Sequence, residues 1–154
     1  RYKQRVFYRS CMMNNEDFQN FIKSISIDYI QPTSISFERF DSFPQENTDI
    51  QINWKMSYPE KPYTFIDDKF SMLPMFEIAF VYDNKVIFSN KSIFIVMLSI
   101  KNKDEFERYW SMEEIRKTFK DKQIRNTLWP IVRQQVLDGL SRLSLPPVAL
   151  PWLL

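Results

Sequence analysis

Histidine is absent from the 154 residues, and glycine and cysteine occur once each, as Gly139 and Cys11. Without an imidazole the chain can build neither a Ser-His-Asp or Cys-His relay nor a histidine metal site, and one glycine cannot form a GxGxxG turn or a P-loop. No cofactor is therefore expected. Carboxylate pairs remain, Asp67 and Asp68 being the most compact, but adjacent loop acids are far more often solvated than catalytic, and no enzymatic activity is expected. A single cysteine cannot form an internal disulfide, so a reducing, cytoplasmic setting is the simpler expectation. Long apolar runs are also lacking. The longest, Ile93 to Leu98, falls well short of the roughly 20 residues that span a bilayer; no stretch reads as a signal peptide, and no membrane insertion is expected. Charge of one sign is scarce as well: 21 Lys and Arg against 19 Asp and Glu leave a net +2, too weak a field to gather nucleic acid.

What is abundant is aromatic. Fourteen Phe, 7 Tyr and 4 Trp make up 16% of a chain whose length fits one domain able to bury a core without disulfides. Residues 1–154 are read as that single domain, with 1–26 an N-terminal extension of strand and short helix, and 126–151 a closing helix and proline strip. The opening "RYKQRVFYRS" permits two readings: a stacking and phosphate-contacting arm for single-stranded nucleic acid, or a strand with solvated basic residues on one face. With no basic groove downstream to continue it, the strand is preferred. Phe18, Phe21, Ile22 and Ile25 then recur at helical spacing.

Alternation of period two marks the strands. Ile27, Tyr29, Ile35 and Phe37 alternate about Pro32; Ile50, Ile52, Trp54, Met56 and Tyr58 alternate with polar residues until Pro59 and Pro62. "YTFIDDKFSMLPM" reads as a long connection with more apolar residues (Phe65, Phe70, Met72, Leu73, Met75) than a loop needs. "FEIAFVYDNKVIF" is a strand in which Asp83-Asn84 is either a tight turn or a break, and "KSIFIVMLSIKNKDEFERYW" a central strand. Ser111 reads as an N-cap with Glu114 three residues on, and Thr127 as the N-cap of a closing helix that keeps Pro130 among its first amides. Leu128, Ile131, Val132, Val136, Leu140 and Leu143 line one side of that helix. The expected fold class is α+β: a four-stranded antiparallel sheet with helices on one face.

"IRNTLWPIVRQQVLDGLSRLSLPPVALP" resembles the signature of the SecB protein-export chaperones through Asn126, Leu128, Trp129, Pro130, Arg133, Ser141, Arg142, Pro146, Leu150 and Pro151. "YIQPTSISFE" and "TDIQINWK" are similar to that family's first two strands, and Phe76 to Ile100 to its third and fourth. The resemblance implies a SecB-like sheet, a homotetramer built as a dimer of dimers, and an ATP-independent holdase whose surface grooves bind unfolded polypeptides in support of protein export. It implies client-binding residues at Ile50, Ile52, Trp54 and Met56, at Phe65, Phe70, Met72, Leu73 and Met75, and along the strip at Leu145, Val148 and Leu150. Met and aromatic side chains suit such a groove because they adapt to clients of no fixed shape. For Ile50, Ile52 and Trp54 packing under the helices is an equal reading, as is core sealing for the strip. The acids that the family uses to dock the translocation motor stand here as Ser34 and Met97, with only Glu38 kept. The family's last helix has no counterpart before Leu154, and Asp17 to Ile25 is the candidate to take its place. Alternatives are a SecB-like chaperone dedicated to one partner, such as the antitoxin of a toxin-antitoxin operon, and a non-enzymatic module for a folded partner or single-stranded nucleic acid through Arg1 to Arg9.

Overall fold

The computed structural model describes residues 14–44 and 49–152. The basic arm Arg1 to Arg9 and Cys11 lie outside them. Helix α1 (Asn15–Lys23) is capped by Asn14, whose side chain accepts from the Glu16 amide at 3.2 Å. Six antiparallel strands follow: β1 (Ile25–Arg39), β2 (Gln51–Ser57), β3 (Tyr63–Ile66), β4 (Lys69–Met72), β5 (Met75–Tyr82) and β6 (Lys85–Ile100).

Strand β6 is central. One of its edges pairs with β1 from Ile25↔Ile100 to Arg39↔Phe88, and the other is shared, β5 taking Lys85 to Ile93 and β4 taking Val96 to Ser99. β4 and β5 are thus halves of one strand jogged at Leu73-Pro74, where the Pro74 carbonyl accepts the Phe94 amide at 3.0 Å. β2 and β3 are likewise halves, separated by Pro59 and Pro62. The sheet has six strands where four were expected, but they align as four long ones: β1, β6, β5 with β4, and β2 with β3. The expected loop from Tyr63 to Met75 is instead the β3–β4 hairpin. Its alternation is present in Tyr63, Phe65, Phe70 and Met72, but the flanking prolines, which cannot donate to a ladder, interrupt the pattern on both sides. Asp67 and Asp68 form the hairpin's turn, Asp67 taking the left-handed φ of 57° that a short polar side chain tolerates. Asp83 and Asn84, at φ 49° and 60°, make the tight turn between β5 and β6.

The helical layer differs from the expectation in three places. Residues 103–110 do not prolong β6; they form α2 (Lys103–Trp110), capped by Asn102 on the Glu105 amide at 3.1 Å. Ser111 closes α2 rather than opening the next helix, and α3 (Glu113–Thr118) starts without a side-chain cap. α3 then passes through a π turn (Phe119–Gln123) directly into α4 (Ile124–Arg142). Thr127 therefore caps nothing; its hydroxyl donates to the Gln123 carbonyl at 2.8 Å. Pro130 lies inside α4 and deprives the Asn126 carbonyl of its helical donor, a loss that water can replace because Asn126 is exposed. The π turn accounts for the difference. Ile115, Phe119, Ile124 and Leu128 are all buried, at spacings of four, five and four, and the single five-residue step is the extra residue that a π turn inserts.

All helices lie against one face of the sheet, burying Phe76, Ile78, Phe80, Phe88, Phe94, Val96 and Leu98, while the alternate residues Met75, Ala79, Ile93, Ile95 and Met97 are half-buried on the other. α4 crosses that inner face from β2 to β1. Trp129 packs on Trp54 (ring centroids 4.9 Å) and Phe76 (6.2 Å), Gln135 accepts from Ser92 at 2.8 Å, and Arg39 donates to the Leu143 carbonyl at 2.8 Å. The buried Asn90 amide completes a polar seam by donating to the Ser36 carbonyl at 3.1 Å and sharing a hydrogen bond with Ser92. Ile131, expected on the buried side, is exposed; Trp129 and Gly139 take that side instead.

Gly139 is where α4 comes nearest to β1. A Cβ there would collide with the ring of Phe37, which lies flat over the backbone and stacks on Phe88 at 6.3 Å. Gly139→Ala should lower stability by about 1–3 kcal/mol, the usual range for overpacking. In a Phe37→Ala background the same change should raise stability by up to ~1 kcal/mol, since only helix propensity is left. Urea unfolding of the four chains of this cycle checks both signs; a stabilising Gly139→Ala in the wild-type background would refute the contact.

Candidate client-binding groove

β2 stands at the border of the sheet, so its outer backbone edge has no strand beside it among the described residues. Its inner row, Ile50 to Tyr58, is half-buried, lying under α4 without being covered by it. Period-two alternation places Ile52, Trp54 and Met56 together on this side, opposite Phe80, Ile78 and Phe76. An unpaired backbone edge beside half-open apolar side chains offers both things an extended peptide needs: ladder hydrogen bonds and alternate side-chain pockets.

At one end the groove is closed by the π turn. Its hydrogen-bond shift sends the Ile124 amide to the Phe119 carbonyl and so takes the helical donor away from Lys120, while the Arg116 carbonyl just before the turn accepts the Phe119 amide. Tyr58 donates to the Lys120 carbonyl at 2.7 Å and Tyr63 to the Arg116 carbonyl at 3.4 Å. Burial raises both phenols, Tyr63 to about 12 and Tyr58 further still. Beyond them sits an aromatic cluster centred on Trp110, whose ring lies 4.7 Å from Tyr63, 5.2 Å from Phe106, 5.6 Å from Phe70 and 6.0 Å from Phe65. At the other end Phe43 packs on Phe80 at 6.1 Å.

The expected client residues do not form one surface. Phe65 and Leu73 are open to solvent at 46% and 40% exposure, and Ile50, Ile52, Trp54, Met56 and Val148 are half-buried. Phe70 and Met72 are core, 1% exposed, because β4 pairs with β6 and points them under α2; they cannot meet a client in this fold. Leu145 and Leu150 are core too, at 6% and 1%. Met75 is half-buried on the opposite face, since its neighbour Phe76 points inward. Glu38 is exposed on that same open face, with Ser34 and Met97, and lines a concave cup of about 660 Å³ with Ser36, Phe40 and the Lys55–Glu77 ion pair (2.9 Å). The sequence reading missed the tyrosine pair at the π turn, and it missed that Arg133 and Trp129 hold Leu150 and Pro151. A five-residue gap between Phe119 and Ile124 was the signal for the first.

No family model and no curated protein matches the sequence. A solved structure does: the Mycobacterium tuberculosis Rv1957 SecB-like chaperone, in complex with a ChAD peptide from the Rv1956 HigA1 antitoxin, superposes at a TM-score of 0.67. The alignment covers 90% of this chain and 97% of that one at 15% identity. The fold is that of a SecB-like chaperone. A protein of unknown function from Streptococcus agalactiae also aligns, at a TM-score of 0.39 and 13% identity over 83% of this chain and 97% of that one, and carries no argument. Among the described residues there is no group of three metal-ligating side chains, and no helix long and apolar enough to cross a membrane.

The two phenols make stability pH-dependent in one direction. A phenol whose folded pKa exceeds its unfolded value near 10 stabilises fully below that value and loses its contribution as pH rises toward the folded one. Stability should therefore hold steady up to about pH 10 and fall between about 10 and 12. Tyr58→Phe/Tyr63→Phe should start about 1–2 kcal/mol lower for two lost hydrogen bonds and decline less steeply over that interval. Denaturant midpoints at several pH values read both quantities, and parallel declines for the two chains would show that these phenols are not the cause.

Proposed function

We propose that this protein is a non-enzymatic, cytoplasmic holdase that keeps a non-native partner extended along the β2 groove, without nucleotide. The observation that carries the reading is the half-covered row Ile52, Trp54 and Met56 on a strand whose outer edge is free among the described residues, in a SecB-like fold. Apolar side chains left half-open on a stable sheet are an aggregation liability unless something is meant to lie on them. Phe65 and Leu73, at 46% and 40% exposure, extend the same apolar border beyond Tyr58.

We infer further that the client is a dedicated one. Two observations favour this over an export role. The neighbour with this fold is bound to an antitoxin peptide. The open face offers Ser34 and Met97 at two positions where the resemblance calls for acids and keeps only Glu38 of that set, which removes charge from the surface where the motor would dock. A second copy of the chain is the expected partner of β1, a 15-residue border strand with Ile27, Tyr29 and Ile35 exposed, in keeping with a dimer of dimers.

Light scattering of two unrelated, chemically denatured enzymes and of a denatured antitoxin of the kind that neighbour binds, HigA1, tests the reading. Without ATP, a fourfold excess of wild type should suppress aggregation of the antitoxin by more than half and of the other two far less. Trp54→Ser, which removes a large apolar contact from a half-buried site, should weaken antitoxin protection about tenfold. Equal protection of all three would make it a generalist; protection of none would overturn the holdase reading.

A further inference from the structure

The chain binds its own C-terminal strip in the way a peptide-binding domain holds an extended ligand. Two residues past the end of α4, the left-handed φ of 57° at Ser144 lets the Leu145 amide reach back to the Leu140 carbonyl at 2.9 Å. Pro146 and Pro147 then prevent further helix and stiffen the chain. From there the strip returns along α4. Two side chains one helical turn apart donate to successive carbonyls: Arg133 Nε to Leu150 at 3.0 Å and Trp129 Nε1 to Pro151 at 2.8 Å. The Arg133 guanidinium also lies 4.4 Å from the centroid of the Trp152 ring. Leu150 fills an enclosed pocket, whereas Trp152 is 77% exposed and is held from one side only.

None of these donors reads side-chain identity. Indole and guanidinium N–H groups on main-chain carbonyls, with one apolar pocket and one aromatic contact, are how Pro-rich extended segments are recognised by aromatic grooves. Any extended peptide with an apolar residue and an aromatic one two positions later could make the same set. Trp129 is moreover shared: its N–H holds Pro151 while its ring packs on Trp54 of the β2 groove, at 4.9 Å. A client reaching Trp54 therefore meets the strip.

We propose that residues 148–152 are a built-in competitor, occupying the Trp129–Arg133 site until an extended apolar segment bearing an aromatic residue displaces them. This inference rests on the holdase reading for its purpose, while the site itself can be tested without any client. Removing Trp152 loosens the competitor and leaves the site; removing Arg133 damages the site. The two variants should thus act in opposite directions.

The probe is a fluorescein-labelled nine-residue peptide with the sequence of residues 144–152, titrated by anisotropy against the full chain. Trp152→Ala should bind it about fivefold more tightly than wild type, the factor expected for one partly exposed cation–π contact. Arg133→Gln should bind it at least tenfold more weakly than Trp152→Ala, with circular dichroism confirming that all three chains are folded. Equal affinities for wild type and Trp152→Ala, or no saturable binding to Trp152→Ala at millimolar peptide, would reduce the strip to a seal on the core and overturn the proposal. A parallel titration with the denatured antitoxin separates the two readings. Client binding by wild type without the variant pattern leaves the holdase standing and removes the competitor. The variant pattern without client binding establishes the site and removes the holdase.

Discussion

The architecture depends on one strand being satisfied along both edges. β6 gives one side to β1 from Phe88 to Ile100 and divides the other between β5 and β4, so both its edges are covered over most of its sixteen residues and its inward side chains become the centre of the core. Everything else follows from where that leaves the borders. β1 lies at one and the β2–β3 pair at the other, each with backbone groups on one side only. A single layer of helices covers the middle of the inner face and thins toward both margins, which is why Trp54 and Phe37, on opposite borders, are half-buried while Phe76 and Phe88 are fully enclosed. The groove is a consequence of a helical layer narrower than its sheet.

The sheet was legible where alternation ran uninterrupted. Ile50 to Tyr58 and the apolar run from Ile93 to Leu98 gave β2 and the core of β6 at sight, because a half-buried strand and a doubly paired one impose different patterns. The β3–β4 hairpin was not, because prolines at 59, 62 and 74 cut a continuous strand pair into pieces shorter than the pattern needs. Helix α2 was hidden by its own polarity: only Phe106 and Tyr109 of Lys103–Trp110 are buried, too few to set a period. As for the groove, residue type alone could not tell Phe65 from Phe70. They face the same side of one hairpin and differ only in which neighbour strand lies beside them, a tertiary fact.

The polar features of the core have a common logic. Asn90, Ser92 and Gln135 sit where α4 crosses β6, and each is hydrogen-bonded, so a buried seam that would be costly if half-satisfied becomes a key that fits one register. Sliding β6 by one residue would turn Asn90 and Ser92 to the open face and bring Ser89 and Lys91 under the helix. The tyrosines at the π turn play a similar part for the helix. Tyr58 satisfies the Lys120 carbonyl that an unbroken α-helix would have used itself, Tyr63 adds a second donor to Arg116, and together they tie the irregular turn to the border of the sheet.

The pairing of β1 with β6 also sets the order in which the chain can fold. Arg39 and Leu143 are 104 positions apart, and Ile25 finds its partner only at Ile100. Contacts this distant in sequence must wait for long loops to close, and they slow folding relative to a chain built from neighbours. During synthesis the first strand, with its isoleucines, leaves the ribosome some sixty residues ahead of the strand that shelters it. A protein with this topology begins life as an exposed, extended chain whose first apolar strand waits for its shelter.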